Sequence, residues 1–419
     1  MERLGDKSKY IYIYYLFLLM LLLLRTSDVV PNTIIRLLYL SVFFLPFLGR
    51  YRTLYLPCLV TFMTVGTYGF AYSYFPYMMG IYMIFSIIYL FFSNSKILDV
   101  KIPKIFVFTV IYIGLINIID SGKPQEIFYS IVTILAASYC ASSNIEGYIQ
   151  KMLIAFTIIS ISLSVVYLLN YENFLEAYNA NDGMERSGWT DPNYLSCIIG
   201  MGVVSSMILL LKKENYSLLI KLYCALVIVL SLLVQLLLAS RGGLLCVIAS
   251  LIVLIVLSNV RMQYKVLTFI VFILFLIWAY VNNYFELLAY RIANDTGGSG
   301  RLVIWTNKLN EFLNLKNPLK WIFGIGYESA YKLASKSTGI GFHNDFLSIL
   351  CGYGIIGFSL LVYLMIIRPI KQASKNIRPI VVSLVIYLSL ACMTLEPLSA
   401  GRLTYFGFFA LIVFYSKYR

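Results

Sequence analysis

The sequence predicts an all-α polytopic membrane protein of about 12–14 transmembrane helices with one long, partly helical outer loop. Three observations predict it. Of the 419 residues, 60% are hydrophobic and 12% are charged, whereas a soluble domain carries about a quarter charged residues; the mean hydropathy is +0.84. Apolar runs long enough to be spans recur from one end of the chain to the other. Between them, Lys and Arg gather in short loops, as the positive-inside bias requires.

In chain order the apolar runs lie near 10–24, 33–49, 54–72, 76–92, 104–120, 126–141, 149–170, 193–211, 217–238, 242–258, 264–281, 343–367, 378–394 and 402–417. Several fall short of the ~20 residues that a hydrocarbon core demands, and those at 54–92 and 126–141 are the weakest. The first follows Lys7 and Lys9 and resembles a signal peptide. No small-x-small cleavage site comes after it, so it reads as an uncleaved span. Neither a repeat nor a low-complexity linker divides the series, which reads as one integral membrane domain over 1–419. The seven cysteines all lie in apolar runs without a CxxC pair, and they read as small buried hydrophobes.

Orientation follows from the loops. With the N-terminus in the cytoplasm, alternate loops carry roughly nineteen Lys and Arg residues and the short opposite loops about five. That places Tyr171–Asp191 and the longer Phe285–Phe342 outside the cytoplasmic membrane. A connection of roughly sixty residues is unusual in a compact chain and tends to be functional. This one carries Trp305, Trp321, Phe323, Tyr327 and Tyr331, and RLVIWTNKLNEFLN has apolar residues at helical spacing. It is expected to form a partly helical cap, 285–342, over the outer mouth of the bundle. The net charge of +14 is dispersed among the loops with no basic, aromatic-interleaved face, which excludes nucleic acid as a partner.

The polar residues on the outer side are then the candidates for chemistry. Arg186, Asp191 and Asn193 lie in ERSGWTDPNYLS, Arg241 in ASRGGLL and Arg301 in GGSGRLVIWTN. Glu328 lies in GIGYES, His343, Asn344 and Asp345 in FHNDFL, and Glu396 and Arg402 in EPLSAGR. Arg241 is the sharpest of these, because a charge at membrane depth costs ~2.5–3.5 kcal/mol and is usually functional or paired. The bland alternative is an interfacial arginine that snorkels. Ser240, Gly242 and Gly243 beside it would let a bulky anion approach the backbone.

Several arginines on one outer cleft suit a diphosphate, whose oxygens match the guanidinium fork. Arg301 gains weight from the Gly-rich stretch before it, whose amides could face an anion. His343, the one histidine in the chain, has the right ordinary pKa to move a proton at neutral pH; otherwise it is a residue bonded to a loop carbonyl at a helix start. Asp345 and Glu328 could orient or replace it, or act as caps. A single histidine, dispersed cysteines and no DxD pair leave no recognisable ligand set, so neither metal nor other cofactor is expected.

Taken together and in order, ASRGG, SGRLVIW, GIGYES and HNDFLSILCGYGIIG, preceded by ERSGWTDPNYLS, resemble the O-antigen ligase and polymerase superfamily of bacterial membrane proteins. The resemblance covers roughly 180–370; the first ~180 residues match only as apolar spans. It implies transfer of glycans from undecaprenyl diphosphate at the outer face of the inner membrane, with lipid-linked glycans as donor and acceptor. It also implies a flippase and a chain-length regulator as partners. Carried onto this chain, Arg241 and Arg301 would hold the diphosphate, and His343 would take the acceptor hydroxyl proton as the anomeric carbon inverts. Arg186, Asp191, Asn193, Glu328, Asn344, Asp345 and Arg402 would contribute to substrate binding. One departure is Cys351-Gly352-Tyr353-Gly354, where relatives often carry Glu-x-Gly.

Within this superfamily the reading is a polysaccharide polymerase that joins lipid-linked repeat units into a capsule or O-antigen. A ligase moving finished chains to lipid A core is the alternative. A lipid-linked oligosaccharide flippase ranks third, because it would show two related halves.

Overall fold

The structure, a computed structural model, describes residues 33–34, 104–121, 145–172, 192–211, 217–294, 300–333 and 341–395. Among these residues there is no strand, and the helices meet the expected spans closely. We label them α1 (Lys104–Ser121), α2 (Ile145–Leu169), α3 (Pro192–Leu211), α4 (Leu218–Leu237), α5 (Arg241–Leu257), α6 (Met262–Val281) and α7 (Glu286–Asn294). There follow α8 (Arg301–Leu313), α9 (Leu319–Phe323), α10 (Tyr327–Lys332), α11 (Asp345–Val362), α12 (Arg368–Gln372) and α13 (Arg378–Thr394). A π-helical turn, Tyr363–Ile367, joins α11 to α12. Met152–Leu169, Pro192–Leu211, Leu218–Leu237, Met262–Val281 and Asp345–Gln372 are each long and apolar enough to cross a membrane. The expected spans at 10–24, 33–49, 54–72, 76–92, 126–141 and 402–417 lie outside the described residues, apart from 33–34. The protein is an all-α polytopic membrane protein.

The chain divides into two compact units, Met1–Phe75 with Glu146–Ala289 and Pro76–Ile145 with Tyr290–Arg419. In the first unit α3 is the packing centre, with sixteen of its residues buried. Apolar side chains gain little by leaving lipid, so close packing of small residues and interhelical hydrogen bonds must hold such helices together. Both devices are present. A Cβ on Gly202 would come within 2.0 Å of Ser160 in α2, and one on Gly243 within 2.1 Å of the Ser196 hydroxyl, so α2 and α5 each press on α3 through a glycine. Ser160 is hydrogen-bonded to the Ile199 carbonyl at 2.7 Å and to Ser231 at 2.8 Å, which ties α2, α3 and α4 at one buried point. Gln235 Nε2 donates to the Ser196 carbonyl at 2.8 Å. By contrast, α6 fully buries only Ala279, with Phe275 packed partly buried beside it, and much of its apolar surface is exposed.

The second unit is organised around a break in α11. At Gly354 the backbone turns to φ 66°, ψ −170°, a region that is essentially closed to any residue with a Cβ. The helical ladder cannot pass through such a residue, so carbonyls of the preceding turn lose their usual partners. Other elements supply replacements. Ile325 N–H donates to the Cys351 carbonyl at 3.1 Å, and Gly326 N–H to the Gly352 carbonyl at 2.8 Å. The Tyr112 hydroxyl in α1 lies 2.9 Å from the Tyr353 carbonyl and 2.8 Å from that of Phe323, one donor shared by two acceptors. The Gly-Ile-Gly segment can lie this close because a Cβ on Gly324 would sit 2.2 Å from the Gly352 carbonyl oxygen. Membrane-embedded backbone that leaves the helix is tolerated only when satisfied in this way.

A substitution pair tests the break. A Cβ at Gly354 would meet the Ile322 carbonyl oxygen at 2.3 Å, whereas one at Gly352 would find nothing nearer than 3.6 Å. Glycine-only backbone costs another residue of order 1–3 kcal/mol. Gly354→Ala should therefore lower the thermal midpoint of the detergent-solubilised protein clearly more than Gly352→Ala. Equal midpoints for the two variants would contradict this reading.

Candidate functional site

Each of the three residues assigned to catalysis from sequence stands at the N-terminal end of a helix. Arg241 and Arg301 are the first residues of α5 and α8, and His343 lies two residues before α11. A helix start carries the positive end of the macrodipole and backbone N–H groups without intrahelical partners, so it favours anions. A guanidinium there is locally unfavourable on its own and becomes favourable when an anion sits beside it. Both arginines are half-buried.

In the first unit, α4 and α5 are joined by Leu238-Ala239-Ser240, with Ala239 at φ 49°. Ser240 caps α5: its hydroxyl accepts from Gly243 N–H at 3.3 Å and donates to Asn193 Oδ1 at 3.0 Å. The Asp-Pro-Asn motif at the start of α3 and the Ser-Arg-Gly motif at the start of α5 therefore meet through Asn193 and Ser240, beside Arg241. The sequence places Ser240, Gly242 and Gly243 open to an anion. The structure corrects that for two of them: Ser240 is fully buried, and the small size of Gly243 serves its contact with Ser196.

In the second unit, α8 lies under the turn that carries His343. Arg301, Trp305, Lys308 and Phe312 share one face at helical spacing. Trp305 Nε1 donates to the Phe342 carbonyl at 2.6 Å. Lys308 is fully buried; its ammonium donates to the Tyr331 carbonyl at 2.6 Å and lies 5.0 Å from the centre of the Phe342 ring. Held from below through Phe342, His343 adopts φ 50°. That left-handed conformation costs a side-chain-bearing residue roughly 1–2 kcal/mol, and strain of this kind concentrates at functional sites.

The remaining predicted binding residues fall as follows. Asn344 is the N-cap of α11, its side chain accepting from Leu347 N–H at 3.2 Å. Asp345 is fully buried in the first turn, and its N–H donates to the Leu395 carbonyl at 3.1 Å. Glu328 bonds Lys332 at 2.9 Å, and that hydrogen bond pushes the exposed Lys332 ammonium above its ordinary pKa. Arg186, Asp191, Glu396 and Arg402 lie outside the described residues. Among the described residues, no group of three or more His, Cys, Asp or Glu side chains is placed to hold a metal ion. Cys197, Cys224, Cys246, Cys351 and Cys392 are buried thiols, as expected.

Several residues that matter to this arrangement are absent from the sequence reading. Trp305 enters it only as packing surface, and Lys308, Asn117 and Asp120 do not enter it at all. Asn117 Oδ1 accepts from Tyr327 N–H at 3.3 Å, and Asp120 accepts from Ser329 N–H at 3.0 Å and from the Ser329 hydroxyl. Together they cap α10, whose own N-cap is a glycine. The available signal is their spacing, two polar residues three apart near the end of an otherwise apolar run. Of the loop aromatics, Trp321 and Phe323 are 38% and 43% exposed.

The Trp305 clasp is open to test. Removing the donor leaves a carbonyl beside the buried Phe342 unsatisfied, at a cost of about 1–3 kcal/mol. Trp305→Phe should speed amide hydrogen exchange over residues 341–346 roughly tenfold or more, with exchange in α3 unchanged. Unaltered exchange at 341–346 would show that the indole does not hold the turn.

No curated protein matches the chain. Residues 226–362 match the family model described as O-antigen ligase, about a third of the 419 residues, and that stretch contains Arg241, Arg301 and His343. Over that stretch the chain is similar to the O-antigen ligase family, in line with the resemblance of its motifs to the ligase and polymerase superfamily.

Proposed function

We propose that this protein is a polysaccharide polymerase that joins undecaprenyl-diphosphate-linked repeat units into a surface polysaccharide, O-antigen or capsule, at the outer face of the cytoplasmic membrane. The observation that carries the reading is that Arg241, Arg301 and His343, each at a helix start, all fall inside the segment matching the O-antigen ligase family. In the proposed reaction the anomeric carbon of the donor glycan is attacked by a hydroxyl of the acceptor glycan. A C–O bond forms to that hydroxyl oxygen and the bond to the diphosphate oxygen breaks, inverting the centre. Arg241 and Arg301 stabilise the charge that grows on the departing diphosphate. His343 accepts the hydroxyl proton, a contribution of typically ~10²–10⁴-fold. Because the leaving group is already an anion matched to guanidinium, the reading needs no metal. A second lipid-linked glycan as acceptor favours polymerase, since a basic outer loop then serves both partners.

A ligase is the second reading, favoured by the description of the matching family. Deleting the gene and running surface and lipid-linked glycans on a gel separates the two. For a polymerase the ladder collapses to acceptor carrying a single repeat unit. If long chains persist on the lipid carrier but are missing from their final acceptor, the protein is a ligase. His343→Ala and Arg241→Ala should each abolish transfer, by 10²-fold or more, while the protein still inserts. Normal transfer in both variants at normal expression would sink the mechanism.

A further inference from the structure

Three hydrogen bonds record the path of the chain beside α1. Ser329 is bonded to Asp120, Tyr327 N–H to Asn117, and the Phe323 carbonyl to Tyr112. Read backwards from Ser329, the segment descends alongside α1 from its last turn to its middle. At 1.5 Å per residue, Tyr112 lies about 12 Å further along the helix than Asp120. An independent measure comes from α11, which opens the apolar stretch Asp345–Gln372. Ile325 and Gly326 bond to the carbonyls of Cys351 and Gly352, about 9–10 Å inside the start of that stretch. The contacts with α11 therefore put α9, in the middle of the connection between α6 and α11, alongside backbone of a stretch long enough to cross a membrane, and the contacts with α1 give the direction of the descent.

The surface of α9 suits that depth. Leu319, Trp321, Ile322 and Phe323 are 56%, 38%, 40% and 43% exposed, in a helix of five residues. On a water-facing loop such a cluster would be an aggregation hazard. On α1, the helix that Tyr112 ties to Phe323, the exposed residues Phe108, Ile111, Leu115 and Ile119 form an apolar stripe at helical spacing. The polar atoms of the descent are satisfied from within: Gly324 N–H by the Lys320 carbonyl, the Phe323 carbonyl by Tyr112, and Trp321 Nε1 by the Phe312 carbonyl at 3.2 Å. Lys316 and Lys320 have stems long enough to reach the head groups, and Trp beside Lys is the composition of a membrane-interface anchor.

We propose that α9 is a re-entrant foot of the loop between α6 and α11, seated among the acyl chains of the bilayer, with Leu319, Trp321, Ile322 and Phe323 in contact with lipid. The foot anchors the loop to the membrane independently of its substrate, so the inference stands whether the enzyme is a polymerase or a ligase.

Site-directed labelling in the full-length protein tests this. In a background with the seven native cysteines replaced, Ile322→Cys, Phe323→Cys and, as a water-facing control, Lys332→Cys are each treated in native membranes with a membrane-impermeant maleimide. The accessible side of the bilayer is set by using intact spheroplasts and inverted vesicles in parallel. The thiols introduced at positions 322 and 323 should label at least tenfold more slowly than the one at 332 on either side. A bimane attached at 322 in phosphatidylglycerol–phosphatidylethanolamine liposomes should be quenched more by acyl-chain nitroxides than by head-group nitroxides. Labelling at 322 and 323 as fast as at 332, or stronger head-group quenching, overturns the proposal. The two adjacent positions guard against one variant that fails to fold.

Discussion

The second unit depends on one constraint: backbone carbonyls inside a membrane must have partners. Gly354 takes the chain out of helical geometry in the middle of an apolar run, which would strand the carbonyls of Cys351, Gly352 and Tyr353. Two amides of the Gly-Ile-Gly segment and the Tyr112 hydroxyl take up those carbonyls. That exchange fixes where residues 323–327 lie. Those residues set α10, α10 presents Tyr331 to Lys308, and Lys308 with Trp305 underlies the turn that holds His343. The histidine is thus positioned by a chain of contacts that begins at a helix break roughly 13 Å into the span.

The first unit solves the same problem differently. There the helices are continuous, and specificity comes from glycines that allow α2 and α5 to press on α3, and from serines that bond across the contacts. Interhelical bonds of this kind are modest, averaging ~0.6 kcal/mol each, so the close approach at Gly202 and Gly243 matters at least as much. Its consequence for chemistry is local. The start of α5 is held against the start of α3 by Ser240 and Asn193, next to Arg241, the residue to which the proposed reaction gives part of the diphosphate charge.

Much of this is legible in the sequence. Span lengths follow from hydropathy alone, and the runs at 217–238, 264–281 and 378–394 fall within about two residues of α4, α6 and α13. Arg241 stands out because a charge at membrane depth is costly, Arg301 because a Gly-rich stretch precedes it and His343 because it is the one histidine, and all three lie at helix starts or just before one. The partners of these residues are not legible. Trp305 holds Phe342 across 37 positions and Tyr112 holds Phe323 across 211, and no local pattern encodes such pairings. The glycines of GIG and CGYG are visible as motif letters, but the feature they build needs both segments at once. Lys308 gives no signal because an isolated lysine in a loop ordinarily faces water, and its burial against Phe342 and Tyr331 depends on the fold.

The central claim is transfer between two lipid-linked glycans, and the most direct measurement is product analysis with the purified protein in liposomes. Undecaprenyl-diphosphate-linked repeat unit is supplied as the sole substrate, and glycan length and free undecaprenyl diphosphate are followed together. The account predicts a ladder of lengthening chains with one undecaprenyl diphosphate released for each linkage made. Absence of elongation and release with that substrate, together with transfer once lipid A core is added, would contradict it.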